Sequence, residues 1–272
     1  MTAVRTAILP AAGLATRFLP ATKAVPKELL PLGNKPVIHW IVDEAVAAGV
    51  EQIVVVISPD KTAIREYFSP APALDDILQA RGKSELLDEL NRLLDRAAFT
   101  FVTQDEPGGL GQAVLCGRGA VGDEPALVLL GDALITAEVP VASQLVAVFE
   151  QVGNSVLGLE EVPDEKVMSR GIVAAETTPD GFLRVSAVVE KPPVAEAPGN
   201  LAISGRYLLT PAVYGYLESA APRPDGEICL TSGIAGLIAD EAVYGCVFDG
   251  VRHDSGTPAG YLKLLNALVT SQ

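Results

Sequence analysis

Residues 9–32 read LPAAGLATRFLPATKAVPKELLPL, in which an apolar, strand-like run enters a glycine-bearing loop. The loop carries Arg17, Lys23 and Lys27 in a chain that is otherwise strongly acidic. Successive backbone N–H groups in such a loop can form a concavity that binds anions, and Arg and Lys side chains pair well with phosphate oxygens. The segment therefore predicts a phosphate-binding loop that follows a strand. A solvated loop kept rigid by its prolines is an equally supported alternative on local chemistry alone.

Two better-known phosphate motifs do not fit this loop. A dinucleotide-binding GxGxxG pattern would need glycines where Ala15 and Phe18 stand. A Walker A motif would need GK[ST] after the strand, and no such sequence follows it. Residues 82–84 do read GKS, but they lie in a charged, helical stretch without an upstream strand.

The first half of the chain alternates helical and strand-like patterns. Apolar residues recur at helical spacing over residues 36–48, and Gly49 then ends the pattern. The β-branched run Gln52–Ile57 is typical of a strand buried on both faces of a sheet. A charged helix over 73–96, strands at 99–103 and 126–130, and a helix beginning at 111 continue the alternation. This order favours a parallel sheet with right-handed crossovers.

The second half predicts a partly antiparallel region. Strands are expected at 155–159, 171–174, 184–190 and 201–208, and a Pro-Asp-Gly turn at 179–181 predicts a hairpin. Helices are expected at 211–219, 231–242 and 261–269. Because no long linker or internal repeat separates the halves, the predicted fold class is one α/β domain over residues 1–272. We expect a Rossmann-like, mixed and mainly parallel sheet with helices on both faces and a small antiparallel sub-region.

Composition excludes several classes of protein. Of the 272 residues, 49% are apolar or aromatic, which is enough for a sizeable core and excludes global disorder. The chain has 20 Lys and Arg against 34 Asp and Glu, a net charge of −14. Such a surface repels nucleic acid and anionic lipid, so we expect neither as a partner. No stretch approaches the length of a membrane span, and the N-terminus lacks the long apolar region of a signal peptide.

The cysteine and histidine content points to a reducing compartment without a zinc site. Cys116, Cys229 and Cys246 are far apart and form no CxxC pair. His39 and His253 cannot supply a multi-histidine metal site. The pattern fits reduced thiols in a cytoplasmic protein.

The loop and several later segments resemble the signature of the bacterial UTP–glucose-1-phosphate uridylyltransferases, in the sugar nucleotidyltransferase superfamily. The loop resembles the family pattern GxGTRxxPxTxxxPKxxLP. The later segments are QDEPGGLGQA at 104–113, LLGD at 129–132, VEKP at 189–192, NLAISGRYL at 200–208, GEICLT at 226–231 and HDSGTPAGYL at 253–262. They occur in the family's order and cover nearly the whole chain.

The resemblance implies the transfer of a nucleotidyl group from UTP to glucose 1-phosphate, giving UDP-glucose and pyrophosphate. The sugar phosphate would attack the α-phosphorus in line, so the enzyme must align two anions and neutralise the growing charge. The family pattern implies Mg²⁺ held by Asp132 and Asp254. It also implies Arg17 and Lys27 at the triphosphate and Lys191 at the sugar phosphate, and these five are the predicted catalytic residues.

The residues themselves support these roles unequally. Asp132 follows an apolar strand, and ligand crevices of open α/β sheets lie at the carboxyl ends of strands, which favours a metal ligand over a helix cap or turn residue. Asp254, taken alone, reads more readily as an ordinary turn aspartate. Glu190 and Lys191, taken alone, read as a solvated strand end. The roles of the last three therefore rest on the resemblance.

The resemblance also implies residues that bind the nucleotide. Backbone groups of Ala12 and Gly13 and the amide of Gln104 would read the base, since an amide can both donate and accept at a pyrimidine edge. Gly109 and Gly111 would let the chain approach the base or ribose closely. With Arg17 and Lys27 these residues complete the predicted nucleotide-binding set, in a part of the chain spanning about residues 1–135. A plain turn is the alternative for each glycine.

The sugar-phosphate set implied by the resemblance lies in the second part, about residues 136–272. Glu190 would accept hydrogen bonds from sugar hydroxyls, and Lys191 would bind the phosphate. Gly171 and Gly205 would line the pocket with backbone. The antiparallel sub-region is therefore the expected sugar-binding part of the domain. A homo-oligomer, either a dimer or a tetramer, is also implied by the resemblance alone.

Several residues depart from the family pattern. Ala15 stands where the loop usually has its second glycine, and its methyl group could obstruct a positive φ or crowd the phosphate. The other departures are Gln112, Ala133, Ser232 and Ser255. They leave two alternatives open: the same chemistry with another nucleotide such as dTTP or another sugar 1-phosphate in a secondary pathway, and a non-catalytic paralogue that binds a nucleotide sugar.

Overall fold

A nine-stranded mixed sheet organises residues 3–269, which the computed structural model describes. Residues 1–2 and 270–272 of the predicted domain lie outside this range. The strands, in chain order, are β1 (Thr6–Pro10), β2 (Pro31–Leu32), β3 (Lys35–Pro36), β4 (Gln52–Ile57), β5 (Ala98–Thr103), β6 (Ala126–Leu129), β7 (Ala133–Thr136), β8 (Val156–Glu161), β9 (Gly171–Thr177), β10 (Leu183–Glu190), β11 (Leu201–Leu209), β12 (Val243–Val247) and β13 (Val251–Asp254).

The α-helices, again in chain order, are α1 (Val37–Ala47), α2 (Thr62–Tyr67), α3 (Pro72–Ala80), α4 (Asp88–Arg96), α5 (Gly109–Val121), α6 (Val141–Val152), α7 (Asp164–Val167), α8 (Val213–Ser219), α9 (Leu230–Asp240) and α10 (Pro258–Val269). Short 3₁₀ turns at Thr16–Phe18, Ala21–Lys23 and Lys27–Leu29 shape the loop after β1. None of the helices described between residues 3 and 269 has the length and apolar character that crossing a membrane requires.

The order of the strands combines a parallel half with an antiparallel one. The main sheet runs β5-β4-β1-β6-β11-β8-β12-β10-β9. Strands β5, β4, β1 and β6 are mutually parallel, as the alternating pattern of the first half predicts. Strand β11 pairs antiparallel with both β6 and β8, and β9 and β10 form the predicted hairpin. The predicted mixed α/β class is therefore confirmed, with the parallel pairings concentrated in the first half.

Helices cover both faces of this sheet because successive strand residues point in opposite directions. Ile53 and Val55 of β4 pack in the same buried cluster as Ile41 of α1. Val54 and Val56 pack in the cluster that contains Val114 of α5. All four strand residues are fully buried, which explains why this run lacks the polar alternation of a half-exposed strand.

Some elements differ from those that the sequence predicts. The helix expected over 73–96 is divided, because α3 ends at Ala80 and the chain turns at Gly82 with φ of 64° before α4 begins. Helix α6 was not predicted, although Val141, Leu145 and Phe149 are buried at a spacing of four residues and supply the signal. Strands β7 and β13 were also missed. Strands β7 and β13 form a separate two-stranded sheet, which proves important for the site.

Candidate active site

Two cavities adjoin at the carboxyl ends of the parallel strands, where ligands of open α/β sheets bind. The first cavity has a volume of about 500 Å³ and is lined by segments that follow β1, β5 and β6. The second, of about 360 Å³, is lined by residues of the antiparallel half and of β13. Asp132 lines both cavities, so its carboxylate lies where they meet. Glu227 also lines both, so the arrangement can hold two ligands side by side with acidic groups between them.

The sequence-predicted site residues divide between the two cavities. The first cavity is lined by Ala12, Gly13, Lys27, Gln104, Gly109 and Asp132. The second is lined by Arg17, Asp132, Gly171, Glu190, Lys191, Gly205 and Asp254. The structure thus brings the predicted nucleotide and sugar sets into neighbouring spaces, with Arg17 on the side of the second cavity.

Gly111 is the predicted site residue that lines neither cavity. Its backbone N–H donates to the carbonyl of Ile228 at 2.8 Å. A Cβ atom on Gly111 would lie 2.8 Å from the same carbonyl, which is too close for any side chain. The glycine therefore has a packing role, since it lets α5 lie against the segment before α9.

The glycine loop accommodates Ala15 in the left-handed region, with φ of 53° and ψ of 38°. The methyl group therefore does not prevent the conformation that a glycine would adopt, although this conformation costs an alanine about 1–2 kcal/mol. The Thr22 hydroxyl donates to the Ala15 carbonyl at 3.0 Å and helps to hold the turn. Arg17 follows in the 3₁₀ turn and is exposed toward the second cavity.

The amide of Gln104 is oriented by two acceptors within the protein. Gln104 is 6% exposed, and its Nε2 donates to the Gly109 carbonyl at 3.2 Å and to Gln112 Oε1 at 2.6 Å. An amide nitrogen has two N–H donors, so both are used. The oxygen Oε1 is then the atom that remains available to a ligand. Gln112, which departs from the family pattern, thus helps to present an acceptor to the first cavity.

Asp132 lies beside the predicted cationic residue Lys27. Lys27 Nζ donates to Asp132 Oδ2 at 3.1 Å. Burial alone would raise the pKa of the Asp132 carboxyl, but the charges of Lys27 and Arg252 outweigh it and lower the pKa below its ordinary value. The carboxylate is therefore ionised at neutral pH and can bind a cation in place of the lysine.

The short sheet of β7 and β13 brings Asp254 to Asp132. Asp254 pairs with Ala133 across this sheet, and the Ser255 N–H donates to the Asp132 carbonyl at 3.0 Å. A Cβ atom on Gly256 would lie 3.2 Å from Asp254 Oδ1 and 3.3 Å from Asp132 Oδ2. Both carboxylates therefore approach one point beside Gly256. Two carboxylates in this arrangement can hold a hard divalent cation that completes its shell with phosphate oxygens and water.

Glu190 and Lys191 form the polar wall of the second cavity. The Thr231 hydroxyl donates to Glu190 Oε2 at 2.7 Å, while Lys191 Nζ lies 3.4 Å from Glu190 Oε1. Lys191 has φ of 49°, and its N–H donates to the Arg170 carbonyl at 2.8 Å. Thr231 was not among the predicted site residues, although it belongs to the GEICLT segment. A fixed carboxylate beside a half-exposed ammonium is suited to binding hydroxyl groups and a phosphate together.

Further cations that sequence reasoning missed line the second cavity. They are Lys166, Arg170, Arg223 and Arg252. Arg170 and Arg252 approach the same Glu160 oxygen at 3.4 and 3.6 Å, and burial together with the Arg170 charge lowers the pKa of Arg252. No local pattern marks these residues, because they reach the cavity from separate segments. Their convergence in an acidic chain creates a local positive surface, which can attract anions.

Arg206 fixes the backbone on which Asp132 stands. Its guanidinium is fully buried and donates to Glu44 Oε1 and Oε2 at 2.9 and 2.8 Å. The same group donates to the carbonyls of Leu130 at 3.3 Å and Ala133 at 2.7 Å. Arg206 thus ties the turn that carries Asp132 to helix α1. It belongs to the segment 200–208 but supports the turn from behind.

The chain is similar to known nucleotidyltransferases over nearly its whole length. Residues 6–271 match the model of the nucleotidyl transferase family. The chain is 44% identical over 262 residues to UTP–glucose-1-phosphate uridylyltransferase of Bacillus subtilis (strain 168), covering 96% of this chain and 90% of that protein.

Two solved structures resemble the whole chain. A UDP-glucose pyrophosphorylase complexed with UDP-glucose superposes with a TM-score of 0.90 at 32% identity, covering 99% of this chain and 100% of that one. The UTP-bound UGPase from Acinetobacter baumannii superposes with a TM-score of 0.90 at 35% identity, covering 99% and 94%.

The strain at Ala15 predicts the effect of restoring a glycine. Ala15→Gly removes the left-handed penalty of a Cβ atom but increases the freedom of the unfolded chain, so the free energy of unfolding should rise by less than about 1 kcal/mol. Ala21→Gly, in the neighbouring 3₁₀ turn, relieves no such strain and should lower the free energy of unfolding by about 0.5–1 kcal/mol. Urea denaturation of both variants measures the difference. Equal destabilisation by the two substitutions would contradict the strain.

Proposed function

The chain belongs to the nucleotidyltransferase family, and on this premise we propose that it transfers the uridylyl group of UTP to glucose 1-phosphate. The products would be UDP-glucose and pyrophosphate. The observation that carries the proposal is the pair of adjoining cavities with Asp132 at their junction. One cavity has the dimensions and backbone lining for a nucleotide, and the other has the cations and the carboxylate for a sugar phosphate.

Mg²⁺ is the proposed cofactor, held by Asp132 and Asp254. The donor set fits, because the two carboxylates approach one point and Mg²⁺ accepts one or two carboxylates together with phosphate oxygens and water. Within residues 3–269 no group of three or more His, Cys, Asp and Glu side chains offers a more enclosed site. When bound, the ion would neutralise part of the phosphate charge.

The chain's own residues would align the two anions. Lys27, whose Nζ lies 3.1 Å from Asp132 Oδ2, can turn its ammonium to the triphosphate, and Arg17, which lines the second cavity, would approach the triphosphate from that side. Lys191 would hold the sugar phosphate, while Glu190, oriented by Thr231, would accept from sugar hydroxyls. In-line attack needs this alignment and no protein nucleophile, because the uridylyl group would pass directly from the leaving pyrophosphate to the phosphate of the sugar.

The base would be read by the acceptor of Gln104. Its oxygen can accept from the N3–H group of uracil, whereas cytosine presents an unprotonated ring nitrogen at that position. Thymine offers the same N3–H group as uracil, so this contact does not separate UTP from dTTP. The relatives at 44% and 43% identity, both named uridylyltransferases, support UTP.

The compartment and the assembly belong to the same proposal. All three cysteines are free, which fits a reducing cytoplasm. The homo-oligomer implied by the resemblance, a dimer or a tetramer, stays a prediction. Substrates, rather than nucleic acid or membrane, are the expected partners of the site.

A substrate panel tests the reaction. UTP, dTTP, CTP and ATP are each combined with glucose 1-phosphate and with other sugar 1-phosphates, and pyrophosphate release is measured. We expect the highest turnover with UTP and glucose 1-phosphate, little with CTP, and loss of turnover in EDTA. A preference for dTTP or another sugar would support the first alternative. Inactivity with every pair would refute catalysis and leave the non-catalytic paralogue.

Asp132→Asn tests the acidic group at the junction. The substitution keeps the size of the side chain but removes its charge, so turnover should fall at least about 100-fold with the fold intact by circular dichroism. Asp180→Asn, in the exposed turn before β10, is the matched control and should retain full turnover. Comparable activity of the two variants would rule out the role of Asp132.

Gly256→Ala tests whether the two carboxylates share a cation. The added methyl group would crowd Asp254 Oδ1 at 3.2 Å and Asp132 Oδ2 at 3.3 Å, so both carboxylates would have to shift. Mn²⁺, a paramagnetic substitute for Mg²⁺, should bind the variant more weakly in an electron paramagnetic resonance titration with UTP present. Gly119→Ala is the control, because a Cβ atom there meets nothing within 4 Å. Unchanged Mn²⁺ affinity in Gly256→Ala would argue against the shared site.

A further inference from the structure

Lys61, a buried residue just before α2, holds the glycine loop from behind. It is 7% exposed, and its ammonium donates to the carbonyls of Ala11 and Gly13, both at 2.7 Å. The third acceptor is Glu28 Oε2 at 3.0 Å. An ammonium has three N–H donors, so each has an acceptor. None of the sequence motifs includes this lysine.

The two carbonyls that Lys61 binds lie on either side of Ala12. The Ala11 N–H is also used, since it donates to the Val56 carbonyl at 2.7 Å. These contacts fix one side of the loop against the sheet. Ala12 and Gly13 line the first cavity on the other side. Lys61 therefore determines how the loop backbone is presented to a ligand there.

Glu28 extends this support to the residues around Asp132. Its side chain is 1% exposed, and its Cγ atom would lie 3.6 Å from a Cβ atom on Gly131. The preceding residue, Lys27, pairs with Asp132. The Lys61–Glu28 pair thus connects the loop after β1 with the segment that carries the cationic and acidic groups of the junction.

We propose that Lys61 is a positioning residue for the nucleotide. It holds loop residues 11–13 at a fixed place relative to Lys27, so that base and triphosphate are bound in one alignment. The inference rests on the proposed function, because it takes the first cavity to be the UTP site. An arginine at position 61 is not expected to perform this role. Its guanidinium is planar and larger than an ammonium, so it cannot donate to all three acceptors from the same position.

The kinetics of Lys61→Met test whether Lys61 affects the binding of the nucleotide and not that of the sugar phosphate. The Michaelis constant should rise at least about tenfold for UTP, and for UDP-glucose in the reverse reaction, because the loop loses two charge-assisted hydrogen bonds. The constant for glucose 1-phosphate should stay within about twofold, since loop residues 11–13, which Lys61 holds, do not line its proposed cavity. Lys61→Arg should show the same split although it keeps the charge.

A double variant separates positioning from stability. Lys61→Met leaves the Glu28 carboxylate buried without its partner, which should lower the melting temperature. Adding Glu28→Leu removes that charge and should restore much of the melting temperature, while the constant for UTP stays raised. Lys35→Met is the control for losing a lysine ion pair, because Lys35 pairs with Asp43 at 2.7 Å outside both cavities. It should leave the constant for UTP unchanged.

The outcomes distinguish the two levels of the proposal. If the wild-type enzyme turns over UTP and Lys61→Met has an unchanged Michaelis constant for UTP, the proposed function is not overturned but the role of Lys61 is. Recovery of the UTP constant along with stability in the double variant also overturns it, because the effect is then one of stability. Failure of the wild-type enzyme to release pyrophosphate from UTP overturns the proposed function, and this role with it. The double variant gives the answer if Lys61→Met alone does not fold.

Discussion

A chain with a net charge of −14 has to gather cations before it can hold a phosphorylated ligand. The fold does this at the second cavity, where Arg17 of the glycine loop meets basic residues from the antiparallel half. Charges of one sign focused in a cleft create a local potential that the net charge does not reveal. The carboxylates of Asp132 and Asp254 lie at the edge of this positive region. The residues proposed to bind anions and the carboxylates proposed to bind a cation therefore lie next to each other, as transfer between two phosphates would require.

Two buried ion pairs keep this arrangement in place. Arg206 pairs with Glu44 and Lys61 pairs with Glu28, and each cation also donates to carbonyls of a loop at the site. A buried pair adds little net stability, because the loss of hydration offsets the attraction. Its contribution here is positional, since irregular backbone has no ladder of hydrogen bonds to define it. The loop after β1 and the turn after β6 are each defined by one buried cation.

Local patterns account for much of the fold but only part of the site. The buried run of β4 and the position of Asp132 after a strand are both visible in the sequence, because each depends on neighbouring residues. The approach of Asp254 to Asp132 depends on the pairing of β7 with β13, strands of four residues each that carry no periodicity to detect. Lys61 was missed for a similar reason, since its partners are carbonyl groups about fifty residues away in the chain, and carbonyls leave no trace in residue type.

The strained residues show that the site is set by its surroundings. Within residues 3–269, Ala15 and Lys191 are the non-glycine residues with positive φ. Lys191 is itself a predicted phosphate-binding cation, and Ala15 lies two residues before another, Arg17. Such conformations cost of order 1–3 kcal/mol and persist only where the rest of the structure imposes them. Here the Thr22 hydroxyl holds Ala15, and the Arg170 carbonyl holds Lys191. A glycine at either place would reach the same conformation without this cost, so the neighbouring contacts hold these residues in place. The hydrogen bonds that impose these conformations also place Arg17 and Lys191 before any ligand binds, so that less ordering is left to the binding step.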